Sequence, residues 1–305
     1  MALGSNHVTN TTAATFIPEL WSDEIIAAYK KNLVMANLVS KMSFKGKKGD
    51  TLHIPKPTRG TAAAKAASTQ VTLQAATESE VQVLVNKHYE YSRLIEDITE
   101  AQALASLRQF YTGDAGYALA KQVDTDLIQL GRGVQGGSGT AAYNKAVLGG
   151  DGSTLYVDGT NVGTALTDAG IRKVIQTLDD ADVPMDGRVL VLPPSARNTL
   201  LGLARFTEQA FTGEVGGGNS IRNGQIGDIY GVKVYVTTNA DTATTNTTRL
   251  AMMFHKDAFV LAEQMGVRSQ TQYKQEYLGT LFTSDMLYGV KELRDEAAVA
   301  IAVPA

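Results

Sequence analysis

Gly131-Arg132-Gly133-Val134-Gln135-Gly136 spells G-x-G-x-x-G, the spacing that lets a tight turn carry backbone amides to a pyrophosphate at a helix N-terminus. That chemistry needs a strand before the glycines and a helix after them. Here a helical stretch precedes them and more glycine follows, so nucleotide binding is not expected. No G-x-x-x-x-G-K-[ST] run occurs. His7, His53, His88 and His255 are scattered, without a second ligand four residues on or an H-E-x-x-H frame. Asp179, Asp180 and Asp182 have the local density of a cation site, but at a helix end before Pro184 they read as a solvated face. Asp124 and Asp126 fall on different sides of one helix. Ser195 follows Pro193-Pro194 with no G-x-S-x-G elbow and reads as a helix start. The chain has no cysteine, which excludes thiolate chemistry and disulfides. No catalytic, cofactor-binding or metal-binding residue is assigned, and an enzyme is not expected.

Composition narrows the class further. A chain of 305 residues buries a sizeable core and has room for two subdomains. Lys+Arg number 28 against Asp+Glu 31, a net charge of −3 that argues against a dedicated nucleic-acid binder. The start, MALGSNHVTNTTAATF, lacks the basic residues and apolar core of a signal peptide. No apolar stretch approaches the ~20 residues of a membrane span, so no membrane partner is expected.

The elements centre on Arg188 to Asn239. Arg188 to Leu192 is an apolar run ended by Pro193-Pro194, the profile of a buried strand. Pro194 fits the first turn of a helix carrying Leu200, Leu201, Leu203 and Ala204. A glycine-rich loop, Gly213 to Gly218, follows. Ile229-Tyr230-Gly231 then reads as a turn into a strand with Val232, Val234 and Val236 on alternate positions.

Upstream, Met1 to Thr15 is a polar arm, and Trp21, Ile25, Ile26 and Tyr29 fall at helical spacing after Pro18, with apolar character continuing to about Ser40. A turn at Gly46 to Gly49 precedes a strand from Thr51 to Ile54, stopped by Pro55 and Pro57. The small, polar stretch Gly60 to Glu80 separates it from a second strand, Val81 to Tyr91. The pair describes a long hairpin whose tip has little of its own to bury. Asp97 to Glu100 has capping-box spacing. A helical stripe runs from Ile98 to Leu130, in which Gly113 and Gly116 mark a bend or a close contact. After a glycine-rich loop, Thr167 caps a helix over Asp168 to Ala181, with Ile171, Val174, Ile175 and Leu178 inward. Leu250 to Phe254 and Ala258 to Leu261 suggest a hairpin, and Gly266 to Tyr277 a strand. A turn near Gly289 leads to a final strand, Val299 to Val303.

This order of elements resembles the major capsid proteins of tailed bacteriophages with the Hong Kong 97-type fold. The tail Leu293-Arg294-Asp295-Glu296-Ala297-Ala298 and its apolar strand resemble the C-terminus of short-tailed phage coat proteins. The resemblance covers roughly Pro18 to Pro304. It implies an α+β chain divided into an N-terminal arm (1–40), an E-loop hairpin (41–96), a spine helix with peripheral-domain elements (97–183), a mainly axial domain (184–262) and a C-terminal return to the peripheral domain (263–305). It implies a shell subunit of the virion whose main partner is itself, in hexamers and pentamers. Further implied partners are a scaffolding protein, a portal, a decoration protein and non-specifically held packaged DNA. Some relatives weld subunits by an isopeptide bond between an E-loop lysine and a late asparagine. Lys65 is suitably placed, but no asparagine follows Asn246. Two alternatives stay open at this point: an encapsulin-like shell that stores protein, and an α/β enzyme or small-molecule binder built around the Gly213 to Gly218 loop.

Overall fold

The structure, a computed structural model, describes residues 33–46, 48–57, 60–71, 73, 78–97, 106–136, 143, 145–203, 228–243 and 247–305, of which 106–110 are described as backbone only. The N-terminal helix expected from Pro18 and the Gly213 to Gly218 loop lie outside the described residues. So does the expected helical segment 98–105.

From the N-terminal side, the described chain forms β1 (Ser40–Ser43), β2 (Thr51–Pro57), β3 (Glu78–Leu84), β4 (Lys87–Glu96) and the long helix α1 (Ser106–Gln129). It continues through β5 (Val147–Leu148), α2 (Asp168–Asp180), β6 (Arg188–Leu192), α3 (Pro194–Leu201), β7 (Asp228–Ile229) and β8 (Val232–Val236). It ends with β9 (Thr248–His255), β10 (Phe259–Lys274), β11 (Gly279–Glu292) and β12 (Ala298–Pro304). The strands make a six-stranded sheet, β5-β12-β9-β6-β8-β7, a four-stranded sheet, β1-β10-β11-β4, and a two-stranded ribbon, β2-β3.

The six-stranded sheet is covered on both faces. Leu190, Leu192, Met253, Val299 and Ile301 lie under Ile171, Val174 and Leu178 of α2 and under Ala196 and Leu200 of α3. From the other face Val189, Val191, Met252 and Phe254 join a core shared with Leu119, Val123 and Leu127 of α1 and with Leu261, Met286 and Tyr288 of the four-stranded sheet. This is why β6 is apolar without alternation from Val189 to Leu192: all five of its residues are buried, Arg188 with Asp179 as its ion-pair partner. Thr167 caps α2 by accepting from Gly170 N, and Pro194 opens α3. Tyr230 and Gly231, at φ 52° and 78°, make the tight turn between β7 and β8.

Four local readings are corrected by the structure. Pro55 and Pro57 do not stop β2, which pairs with β3 as far as Pro57↔Glu78. Val85 N donates to Asp50 O at 2.8 Å, and bonded pairs recur at every second residue of an antiparallel ladder. His53, Pro55 and Pro57 therefore turn their backbone groups away from β3, where a missing N–H costs no ladder bond. The expected strand Val81 to Tyr91 is two strands, β3 and β4, divided at Val85-Asn86; β4 leaves the ribbon to pair with β11. The expected hairpin across 250–261 does not form. β9 pairs with β12 and β6, β10 pairs with β1 and β11, and a 3-10 corner at Lys256–Ala258 passes the chain between sheets. Phe254 and Phe259 pack edge-on across that corner, centroids 5.3 Å apart. Gly289 is not a turn but an inner residue of β11, paired with Ala262. A Cβ there would stand 2.3 Å from Leu84 O, because the β3–β4 crossing rests directly on it.

Of the apolar stretch ending near Ser40, the described part holds a 3-10 turn, Met35–Asn37, before β1. The described α1 has 24 residues, about 36 Å at ~1.5 Å each. It runs unbroken through Gly113 and Gly116, both exposed and, among the described residues, with open space where a Cβ would go, so neither marks a bend. These glycines and Gly289 should respond oppositely to alanine. Gly116→Ala is expected to raise subunit stability by about 1 kcal/mol, whereas Gly289→Ala is expected to lower it by roughly 1–3 kcal/mol through overpacking. Urea denaturation of the two variants measures both signs.

Candidate functional site

The glycines of the G-x-G-x-x-G run serve packing, in a chain of short 3-10 turns directly after α1. A Cβ on Gly131 would be 2.9 Å from Met252 Sδ, one on Gly133 2.7 Å from Glu292 Oε2, and Gly136 sits at φ 71°. The helix α1, not a strand, precedes them, and among the described residues no helix N-terminus follows directly after them. Ser195 Oγ donates to Pro304 O at 2.7 Å and ties α3 to the end of β12. Asp179 lies 2.7 Å from the buried Arg188 guanidinium, and Asp180 is exposed. The described histidines stay apart: His53 meets Glu80, His88 meets Asp285, and His255 accepts from Asp257 N. Among the described residues no group of three or more His, Asp or Glu is placed to hold a metal ion.

The polar groups that sequence reasoning passed over are Asp124 and Asp126. They do lie on different sides of α1, yet both are buried. Asp124 accepts from Val34 N (3.1 Å), Met35 N (2.8 Å) and Asn239 Nδ2 (3.1 Å). It thereby caps the 3-10 turn at Met35–Asn37 from a distant helix. Burial raises its pKa, and those three bonds oppose the rise. Asp126 lies 3.0 Å from Lys87 Nζ and accepts from Tyr288 OH at 2.6 Å. Burial first, then Asp126, push the Tyr288 hydroxyl upward. Both carboxylates join elements rather than face a cavity. The available signal was the position of both aspartates at the margins of the apolar stripe of Leu119, Val123 and Leu127, where a polar side chain drawn into the core must find a partner.

What is exposed has a different character. Every described residue from 60 to 71 is exposed, as is Leu73, with Val71 at 64% and Leu73 at 91%. This stretch joins β2 to β3 at the far end of the ribbon. A second opening is the outer edge of β10. β1 pairs only with Val260 to Glu263; the segment after β1 still reaches Gln264, whose Nε2 donates to Gly49 O at 2.9 Å, and further along β10 no strand is paired on that side among the described residues. Among the described residues, the exposed features are therefore the end of the β2–β3 ribbon and a stretch of β10 edge without a paired strand.

The four-stranded sheet is knitted across β4, β11 and β10 by Asp285. It accepts from Arg268 Nε and a terminal guanidinium nitrogen at 2.7 and 2.9 Å, and lies 3.0 Å from His88 Nε2. The Arg268 bonds, then His88, hold its pKa down at about 2. A lowered carboxylate pKa contributes stability that is present above the unfolded value of 3.8 and is lost as pH falls through about 2. Asp285→Asn is accordingly expected to be less stable than the parent at pH 7, with the gap closing towards pH 2. Denaturation midpoints across that range check the prediction; a gap that does not depend on pH contradicts it.

The sequence profile of the phage capsid protein family matches residues 19–303. No curated protein matches the chain. Among solved structures, a chain of Mycobacterium phage Che8 superposes with a TM-score of 0.74 at 24% identity, covering 94% of this chain and 97% of that one. The capsid of cyanophage P-SCSP1u gives 0.73 at 17% identity over 99% and 96%. The capsid of cyanophage Pam1 gives 0.73 at 14% identity over 99% of each chain. At these identities the likeness is one of fold, and the fold is the Hong Kong 97 type. With the profile match extending over nearly its whole length, the chain belongs to the phage capsid protein family and is a structural protein of the phage shell rather than an enzyme.

Proposed function

We propose that this major capsid subunit closes into hexamers and pentamers by laying its β2–β3 ribbon across a neighbouring copy. The observation that carries this reading is the ribbon's exposed end. Residues 60–71 and Leu73 are all exposed in the subunit, although Val71 and Leu73 are apolar. Ordering such a segment costs ~1–2 kcal/mol per residue, which a run of alanines cannot offset without a partner surface. A neighbour supplies that surface, and an open edge such as that of β10 supplies backbone partners. Exposed Lys56 and Lys65 add contacts that weaken with salt. In this reading the ribbon belongs to an E-loop spanning 41–96, α1 is the spine helix, and residues 184–262 are mainly the axial domain, whose sheet also takes in β5 and β12 from the segments on either side. The shell encloses double-stranded DNA without sequence preference and is assembled in the host cytoplasm with a scaffolding protein, a portal and a decoration protein. The family match favours this over a protein-storing shell.

Shortening Ala62 to Ala76 to a few glycines is expected to leave the subunit folded, because the three cores lie elsewhere, and to prevent closed particles. Circular dichroism and electron microscopy of one preparation read both outcomes, and normal particles from the shortened chain would overturn the clasp.

Covalent welding is not expected, because Lys65 has no asparagine after Asn246 to join. Denatured particles should migrate as single chains of 32.5 kDa, and a ladder of multimers contradicts the proposal.

A further inference from the structure

Two links run side by side between the large sheets. Lys256–Ala258 joins β9 to β10, and residues 293–297 join β11 to β12. One carbonyl ties them: Ala258 O accepts from Leu293 N at 2.8 Å and from Arg294 N at 3.3 Å. At this crossing Glu292, the last residue of β11, meets Asp295, the first residue of the following 3-10 turn, within hydrogen-bonding range. The turn after α1 closes over them. A Cβ on Gly133 would be 2.7 Å from Glu292 Oε2 and one on Gly136 3.7 Å from Asp295 Oδ2. Gln135 Nε2 holds that turn in place by donating to Ala298 O at 3.0 Å. Among the described residues, Asp295 Oδ1 is the buried side-chain oxygen without a hydrogen-bond partner.

We propose that Glu292 and Asp295 form a proton-operated latch that holds closed the crossing of the two links between the six-stranded and four-stranded sheets. The proposal concerns the single chain and stands whether or not the ribbon acts as a clasp. Two carboxyl groups in contact hold one proton between them, since two adjacent negative charges repel. Glu292 carries it and donates to Asp295. Burial first, then the Asp295 hydrogen bond and charge, push Glu292 up to about 8, with Lys291 opposing. The other charged groups on the surrounding elements are Arg294 and Glu296 on the same link, and His255, Lys256 and Asp257 on the neighbouring link. Arg132, on the covering turn, is engaged by Asp241 at 2.9 Å. When the proton leaves to solvent, the pair becomes two carboxylates, one with a buried oxygen that no donor meets. The repulsion drives the 295–297 turn from the end of β11 and loosens the bonds to Ala258 O. The crossing of the two links then opens locally, while the core shared by the two sheets stays closed.

The sign follows from linkage. The unfolded chain gives up this proton near 4.5 and the folded chain near 8. The stability contributed by the protonated pair is therefore complete below pH 4.5, falls as pH rises towards about 8, and is level above it. The loss is on the order of a hundred-fold in the folding equilibrium, smaller than the full shift implies because Glu292 is only half-buried.

The test uses the full-length subunit with Glu292→Gln, which keeps a neutral donor facing Asp295, and Asp295→Asn, which removes the repelling charge. Amide exchange at Leu293 and Arg294 is followed from pH 6 to 9.5 and corrected for base catalysis. Wild type is expected to lose protection about ten-fold or more around pH 8, while both variants stay protected. A flat wild-type profile, or the same alkaline loss in the variants, overturns the latch. Should neither variant fold, the side-chain carbon shift of Glu292 in wild type decides: a midpoint near 8 supports the proposal and one near 4.5 ends it.

Discussion

The six-stranded sheet can exist only because both of its faces are covered, and this constraint organises the subunit. β6 has no polar face to offer water, so α2 and α3 must lie on one side, and α1 with the four-stranded sheet on the other. The second covering explains why the chain returns after β10 and β11 to place β12 beside β9. Sheet and helix contacts close in space over long separations in sequence, giving a core that no single segment holds alone.

Closeness at the sheet margins is set by glycine. A Cβ at Gly163 would reach Val303 O at 2.3 Å, and one at Gly170 would reach Gly149 O at 2.1 Å. The segment from Gly149 to Gly170 therefore lies backbone against backbone along β12 and the start of α2, where β5 completes the sheet. Elsewhere the joints are polar. Asp124, Asp126 and Asp241 each connect a side chain or amide from a remote part of the chain, so the long helix and the covering loops are held by direction as well as by apolar contact.

Reading the sequence succeeded where a residue's role is local. The Pro-Pro stop after Leu192, the Thr167 cap and the Tyr230-Gly231 turn are decided by backbone chemistry within a few residues. It failed where the partner is distant. Strands 250–254 and 258–261 have the pattern of a hairpin, and nothing local says that a buried Ala258 corner sends them to different sheets. Gly289 looked like a turn because its reason, the Leu84 carbonyl, is some two hundred residues away in the chain. The projecting ribbon was legible from its two patterned strands and its alanine-rich centre. The carboxyl pair was not, because its two acids gain meaning only under the turn at Gly133 to Gly136.

The outward-facing prolines of β2 give the ribbon a handed edge. Along that side, backbone donors are available at Thr51 and His53 but not at Pro55 or Pro57, while β3 contains no proline. A foreign strand can therefore extend the ribbon next to β3 far better than next to β2. Two ribbons cannot readily zip together through matching β2 edges, so free subunits are discouraged from pairing face to face. That asymmetry fits the proposed clasp, in which one patch meets a different patch on the next copy, the head-to-tail kind of contact that closes rings.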